Sequence, residues 1–308
     1  MSKEKLSNYL SYRMTVVRFL SVVGLWPKDQ ARFWYRFLPV LQLTANISSV
    51  LAIAMFVRKH INNLHRAIKG MSSMMSYLSN ILKTTCVMIN REDATKLHQM
   101  LDTQFFMLLN RPELSKIILN EVTTFRRLSS MMSFLTYLSC TIYVTRPVII
   151  IIYQHLKQRH PIRYGLLFPG IYPWKIAPNS LLYKFHYGLE SISTIFAFSV
   201  CAGIDLLFTL YIFQMIAQLR EMSYCISNID TAKNGHKAVE NCVIKYEQLM
   251  KCRDILEKIY GPIMLWTMLI NAASLCCQMF EFSKVGIIKL LNGHTGEFNG
   301  FSILRYQR

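Results

Sequence analysis

Acidic residues are scarce in this 308-residue sequence, and the short motifs that mark many soluble enzymes are missing. There are 17 Asp and Glu residues against 35 Lys and Arg residues. The HExxH, GxSxG and GxGxxG patterns do not occur, nor does a phosphate-binding P-loop. No pair of carboxylates lies in a context typical of acid–base catalysis. We therefore expect neither an enzymatic activity nor a cofactor.

The eight cysteines and the net charge of +18 argue against two further classes of protein. No Cys-x-x-Cys occurs and no set of Cys and His has zinc spacing, so we expect no disulfide framework and no structural metal. The basic residues are spread over every loop, whereas a nucleic-acid-binding protein concentrates them in a patch. Nucleic acid is therefore not an expected partner.

Long apolar runs, in contrast, recur through the first 282 residues. Five of them reach the ~20 residues that a helix needs to cross a bilayer, and none has the short alternating pattern of a barrel strand. Helices also satisfy their own backbone hydrogen bonds in lipid. The sequence thus predicts an all-α, multi-pass transmembrane helix bundle, with spans over residues 37–57, 70–90, 131–153, 183–212 and 262–282.

The distribution of Lys and Arg predicts the orientation of the bundle. A cytoplasmic N-terminus places 20 of these residues in inner segments and 13 in outer segments. Positive charge is enriched on the cytoplasmic side of membrane proteins. We therefore expect a protein of the plasma membrane, surrounded by lipid, whose N-terminus is cytoplasmic.

Helical spacing also occurs outside the spans. Residues 91–127 are expected to be helical with a break at Pro112, and residues 236–260 to form a cytoplasmic helix before Gly261 and Pro262 start the fifth span. The apolar side chains of residues 1–30 recur on one helical face and predict an interfacial helix. They are Leu6, Leu10, Met14, Val17 and Leu20.

The fourth span and the loop before it are unusual. The loop, residues 154–182, is rich in Pro, Tyr and Gly, and we expect it to fold back as a lid over the outer mouth of the bundle. No proline interrupts residues 181–219, which as one helix would be ~58 Å long. The end of that helix must therefore project into the cytosol.

Four ionisable residues lie inside the spans, where such groups are costly and usually paired or functional. Arg146 and Glu190 both lie ~10 Å below the outer ends of their spans. They therefore either form an ion pair or face a wet outer vestibule separately. Lys83 and Asp205 differ in depth by ~13 Å on the same arithmetic, so no pair is expected between them.

Three short motifs, in this order, resemble the insect odorant receptor family. They are Gly24-Leu25-Trp26-Pro27 before the first span, Tyr172-Pro173-Trp174 before the long fourth helix, and Leu275-Cys276 followed by Phe280 in the fifth span. The order and spacing of the spans agree with that family over residues 1–283, which we interpret as one receptor-like transmembrane domain. Residues 284–308 are interpreted as a divergent tail that does not span the membrane.

The resemblance implies a seven-helix receptor that gates a cation channel in olfactory neurons, as a heterotetramer with the shared odorant co-receptor. It also implies small volatile odorants as ligands and a pocket in the outer half of the bundle. Met and aromatic side chains suit an adaptable apolar pocket, although ordinary helix packing is the alternative role for each. The expected ligand-binding residues are Met74, Tyr77, Tyr143, Arg146, Tyr187, Glu190 and Ser191.

The sixth and seventh helices of that family have no counterpart in this sequence. This predicts an incomplete receptor, without the pore-lining helix and without an odorant-evoked current of its own. The alternatives are a gustatory receptor of the same superfamily and a non-channel multi-pass membrane protein. A G-protein-coupled receptor would need an external N-terminus and an Asp-Arg-Tyr-like triplet where this sequence has Gln154-His155-Leu156. A transporter would usually show internal repeats, and none is visible.

Overall fold

The computed structural model describes residues 2–28, 32–119, 122–158, 162, 164–174, 176–228 and 235–293. The secondary-structure elements of these residues are all α-helices, which confirms the predicted all-α, multi-pass fold. They are α1 (Ser2–Val23), α2 (Phe33–Lys59), α3 (Leu64–Ile89), α4 (Arg91–Leu109), α5 (Pro112–Ile118), α6 (Val122–Leu156), α7 (Leu181–Ser227) and α8 (Gly235–Gly293).

Four of the described helices, α2, α6, α7 and α8, are long and apolar enough to cross a membrane. They contain the first, third, fourth and fifth predicted spans. Helix α3 contains the second predicted span but is too polar to belong to this set. Its polar side chains Asn80, Lys83 and Thr84 are only 9%, 2% and 0% exposed. This agrees with the expectation that so polar a helix faces other helices rather than lipid.

The two ends of the bundle differ in what covers them. We call the end where residues 157–180 connect α6 to α7 the loop end, and the opposite end, where α1 and α4 pack on α7, the α1 end. Helix α7 has 47 residues, a length of ~70 Å, so it extends well beyond a ~30 Å hydrocarbon core. The prediction of a long projecting helix is therefore confirmed, and the helix is eight residues longer than the predicted 39.

Helix α1 is present as predicted, and the side chains that it buries include only part of the predicted apolar stripe. Tyr9 and Tyr12 are 0% and 2% exposed, and Leu20 of the stripe is buried, whereas the stripe residues Leu6, Leu10 and Met14 are exposed. The reason is that α1 docks on α7 through tyrosine hydroxyls as well as through apolar atoms. Hydrogen bonds join Tyr12 to α7, 2.8 Å from the Thr209 hydroxyl, and Tyr9 to α7 through Gln214 Nε2 at 3.0 Å.

The segment Gly24-Leu25-Trp26-Pro27 ends α1 with a glycine that no other residue could replace without strain. Gly24 has φ +77°, and a Cβ there would lie 2.4 Å from the Tyr35 carbonyl oxygen. The amides of Gly24 and Leu25 donate to the carbonyls of Ser21 and Leu20, the pattern of a Schellman C-cap. The Trp26 amide then donates to the Tyr35 hydroxyl at 3.0 Å. This motif therefore fixes the path from α1 into α2.

Helix α8 corrects the prediction of a helix start at Gly261-Pro262. The helix is continuous from Gly235 to Gly293, with Pro262 inside it. Proline removes one backbone hydrogen bond, but Ile259, Tyr260 and Ile263, on both sides of it, are buried against the same core. Burial on each side therefore holds the two segments as one helix. The predicted boundary at residue 283 lies within α8, and residues 294–308 of the predicted tail lie outside the described residues.

An ion pair joins α3 to α7, contrary to the expectation that Lys83 and Asp205 lie too far apart in depth. Lys83 Nζ is 2.7 Å and 2.9 Å from the two carboxylate oxygens of Asp205, and 3.4 Å from Cys201 Sγ. Both helices start at the loop end, so the residues lie ~28 Å and ~36 Å along them. The remaining difference is within reach of a lysine side chain. The prediction was wrong because it measured the depth of each residue from the predicted end of its span, and helices α3 and α7 begin before those ends.

Candidate functional site

A small group of buried apolar residues, separate from the main core, lies near the loop end. Its members are Ile53, Tyr77, Leu167 and Phe168, and we call it the loop-end cluster. Helices α2 and α3 contribute the first two residues, and the connection between α6 and α7 contributes the other two. Partly buried side chains from four helices pack around them: Val50, Val57, Met74, Tyr143, Val144 and Tyr187.

Two tyrosines tie the helices around this cluster together. The Tyr77 and Thr194 hydroxyls are 3.2 Å apart and connect α3 to α7. The Tyr187 hydroxyl donates to the Val144 carbonyl at 2.6 Å and connects α7 to α6. Since each phenol is anchored by its polar end, its ring is held against the apolar cluster in a fixed place. The cluster is thus apolar in its contacts, with polar groups at its edges.

The connection between α6 and α7 folds back into the bundle, as predicted for a lid. The Phe168 ring meets the Tyr77 ring edge-on at 5.4 Å, and the Ile171 amide donates to the Ala52 carbonyl of α2 at 3.0 Å. Farther out, Trp174 Nε1 donates to His186 Nε2 on α7 at 2.9 Å. Residues 164–174 therefore contact three helices, and we call them the lid.

Glu190 of α7 holds this lid from below. One carboxylate oxygen accepts the Leu167 amide at 3.0 Å and the other accepts the Tyr172 hydroxyl at 2.6 Å. Glu190 is 5% exposed. Burial, and then the nearby carboxylate of Glu190, raise the pKa of Tyr172 above its ordinary value. Its hydroxyl therefore remains a donor throughout the neutral pH range.

The structure brings four of the seven predicted ligand-binding residues to one place. Met74, Tyr77, Tyr143 and Tyr187 belong to the loop-end cluster or pack against it. Ser191 lies one turn farther along α7 and donates to the Tyr187 carbonyl at 2.7 Å. Because this hydrogen bond lies within α7, the serine hydroxyl does not donate to the loop-end cluster.

Glu190 and Arg146 do not form the ion pair that was one of the two predicted arrangements. Both oxygens of Glu190 are bonded to the lid, and Arg146 is exposed at the edge of a cleft. The prediction treated equal depth as sufficient. Depth does not fix the direction of a side chain around its helix. Glu190 points toward the lid and accepts its hydrogen bonds there.

The cleft at the loop end has a volume of about 760 Å³ and lies between the lid, α2, α3 and α6. Leu167 and Phe168 line it on one side and pack into the loop-end cluster on the other. Sequence reasoning missed these two residues, because nothing in an irregular loop signals which side chains become buried. The Pro, Tyr and Gly content predicted only that the loop folds back. No group of three or more His, Cys, Asp or Glu among the described residues is arranged to hold a metal ion.

Comparisons with solved structures give the fold independently. The insect olfactory receptor OR5 from Machilis hrabei matches with a TM-score of 0.68 at 13% identity, over 89% of this chain and 72% of that one. The structure of the same receptor in complex with eugenol matches with a TM-score of 0.66 at 13% identity, over 88% and 71%. No curated protein sequence matches the chain.

A family comparison identifies the chain more directly. The family model described as 7tm Odorant receptor matches residues 63–292, a segment that extends from the start of α3 to the end of α8. It includes the lid, Glu190 and both residues of the Lys83–Asp205 pair. Because this match extends over well more than half of the sequence, the chain belongs to the 7tm odorant receptor family.

Proposed function

We propose that this odorant receptor binds small, volatile, apolar molecules at the loop-end cluster. Met74, Tyr77, Tyr143 and Tyr187 form the apolar surface that a ligand contacts, with Ser191, Glu190 and Arg146 at its edges. The binding of a ligand there is coupled to the opening of a cation channel. The chain performs this role in the plasma membrane of olfactory neurons, with a cytoplasmic N-terminus and in a heterotetramer with the shared odorant co-receptor.

The observation that supports this proposal best is the composition of the cluster and its position beneath a cleft. Ligand sites are mostly apolar concave surfaces of ~300–1,000 Å³ with a few fixed polar groups, and the cleft of about 760 Å³ falls in that range. The hydroxyls of Tyr77 and Tyr187 are already bonded to α7 and α6. A ligand with at most one hydrogen-bonding group therefore suits the site. The eugenol complex of the Machilis hrabei receptor lends support by analogy.

The position of the lid supports a route for the ligand. Leu167 and Phe168 separate the cleft from Tyr77, so a molecule in the cleft reaches the cluster when these two side chains move. Residues that line a binding site and must also move are typically held by a few contacts rather than by a large core. The lid fits that description, with Glu190, Ala52, Tyr183 and His186 as its hydrogen-bonding partners.

The test is the binding spectrum of the purified chain, which is the set of odorants in a panel that bind it. Replacement of Tyr143 or Tyr187 by Ala should change which odorants of the panel bind the purified chain. Phe134→Ala on α6 and Phe185→Ala on α7 are matched controls, because these rings are 65% and 62% exposed away from the cluster. They should leave the spectrum unaltered. Unchanged spectra for both tyrosine variants would place the odorant site elsewhere.

A further inference from the structure

Among the described residues, the charged side chains that line the loop-end cleft are all cations. Arg66 and Lys69 come from the first two turns of α3, and Arg146 comes from α6 on the other side. Residues three apart lie on one face of a helix, so Arg66 and Lys69 present their charges to the same space. Three like charges around one concave surface repel each other and produce a positive potential inside it.

The acidic residue beneath the lid does not line this cleft. Glu190 is 5% exposed, and its two oxygens already accept hydrogen bonds from Leu167 and Tyr172. The remainder of the lining is apolar or aromatic and includes Phe56 and Ile150. The cleft thus combines positive charge with an apolar wall that leads to the loop-end cluster.

We propose that the cleft binds the carboxylate of an amphiphilic organic acid, whose hydrocarbon tail packs against Leu167 and Phe168. This inference rests on the proposed odorant-binding function and specifies a ligand class for it. Guanidinium groups hold carboxylates through paired, charge-assisted hydrogen bonds, so Arg66 and Arg146 are the primary anion-binding residues. Lys69 adds positive charge without such a fixed geometry.

The experiment compares an acid with its uncharged ester, which has nearly the same shape. Octanoate and methyl octanoate are titrated at neutral pH against the purified full chain in phosphatidylcholine nanodiscs. Octanoate should bind roughly tenfold more tightly, since a charge-assisted hydrogen bond contributes a tenfold or larger factor in affinity. Equal affinities for the two probes would overturn the proposal.

Variants then assign the effect to the cleft. Arg146→Gln and Arg66→Gln should each weaken octanoate binding about tenfold. Arg66→Gln should leave methyl octanoate binding unchanged, and in Arg146→Gln the preference for octanoate over methyl octanoate should fall. A melting temperature equal to that of the wild-type chain shows that each variant is folded. Arg146→Lys should restore part of the affinity. Lys59→Gln is the matched control, because Lys59 is an exposed cation at the same end that does not line the cleft. A loss in Lys59→Gln as large as in the arginine variants would reduce the effect to general surface charge and overturn the proposal.

A lipid headgroup is also an anion, so a further experiment distinguishes a lipid from an organic acid as the occupant of the cleft. The titrations are repeated in nanodiscs that contain phosphatidylserine. The difference between the wild-type chain and Arg146→Gln should persist there. If it disappears because the wild-type chain no longer binds octanoate, a lipid headgroup fills the cleft and the proposal is wrong.

Failure of this inference is distinguishable from failure of the proposed function. If methyl octanoate binding depends on Tyr143 while octanoate binding depends on neither arginine, only the acid-binding inference fails. If neither probe binds and no neutral odorant binds either, the proposed odorant site fails with it.

Discussion

At the scale of single residues, the Lys83–Asp205 pair is the contact whose disruption should be most costly. Lys83 is 2% exposed and its ammonium is 2.7 Å from the carboxylate. Asp205→Asn leaves that charge buried without its partner, and we expect a loss of about 3 kcal/mol. Lys83→Met leaves Asp205 unpaired, but that side chain is 47% exposed, so the loss of stability should be smaller. The melting temperature of the purified chain in detergent measures both effects.

The double variant Lys83→Met/Asp205→Asn is the informative control for this pair. Removing both charges should recover much of the stability lost in either single variant, because no unpaired charge remains. Lys184→Met, at an exposed position of α7, should be nearly neutral. Strictly additive losses in the double variant would show that the two residues do not interact.

Two glycines of this chain should respond to alanine in opposite directions. At Gly24, φ is +77° and a Cβ would meet the Tyr35 carbonyl oxygen at 2.4 Å, so Gly24→Ala should cost more than ~1 kcal/mol. At Gly188, inside α7, no atom lies within 4 Å of the added Cβ. Gly188→Ala should therefore stabilise the helix by up to ~1 kcal/mol. Melting temperatures that move the same way for both would contradict this assignment.

At the scale of elements, the lid should loosen when its glutamate is replaced by glutamine. Glu190→Gln keeps the size of the side chain but weakens the two hydrogen bonds to Leu167 and Tyr172. An ordinary hydrogen bond contributes ~0.5–1.5 kcal/mol, so amide exchange at Leu167 should accelerate roughly several-fold. Tyr172→Phe removes one of the two bonds and should have a smaller effect. Hydrogen–deuterium exchange of residues 164–174 is the measurement.

Matched controls for the lid exist in the same chain. Glu257→Gln changes an exposed glutamate of α8, and Tyr153→Phe changes a partly exposed tyrosine near the end of α6. Neither residue hydrogen-bonds to the lid, so exchange at Leu167 should stay the same in both. Unchanged exchange in Glu190→Gln would show that apolar contacts alone hold the lid.

The elements that the sequence predicted well are those encoded locally. The apolar runs became helices α2, α6, α7 and α8, and Pro112 begins α5, because length, hydropathy and proline act within a few residues. Contacts between distant segments were predicted poorly. The face of α1 depends on Gln214, more than 200 residues away, and the partner of Glu190 depends on how an irregular loop folds. Periodicity carries no information on either.

In the candidate site, too, residues on helices were predicted and residues placed by long-range contacts were not. Met74, Tyr77, Tyr143 and Tyr187 lie on helices, where the family resemblance gave their positions, and the structure places them around one cluster. Leu167 and Phe168 come from the lid and were not predicted. Arg66 and Lys69 were counted only as loop charges, because their role depends on the position of Arg146 across the cleft.

At the scale of the whole molecule, the buried residues divide along the bundle axis. The main core joins α1, α4, α5 and α7 with part of α8, whereas the loop-end cluster joins α2, α3 and the lid. The main core is larger, and α3, α6 and α7 contribute side chains to both groups. A ligand that moves the lid therefore acts on the same helix that carries the Lys83–Asp205 pair and docks α1.

The topology of the whole chain can be tested by glycosylation. The excess of Lys and Arg in the segments at the α1 end predicts that this end is cytoplasmic, which places the lid outside the cell. A flexible insert with an Asn-Gly-Thr acceptor after Gln158, at the exposed end of α6, should therefore be glycosylated in intact cells. The same insert after Asn110, between α4 and α5, should not be modified. Both inserts lie in turns between helices, so each is tolerated without breaking a helix. A gel shift that is removed by glycosidase reports modification, and modification of the Asn110 insert alone would reverse the proposed orientation and place the cleft and its three cations on the cytoplasmic side.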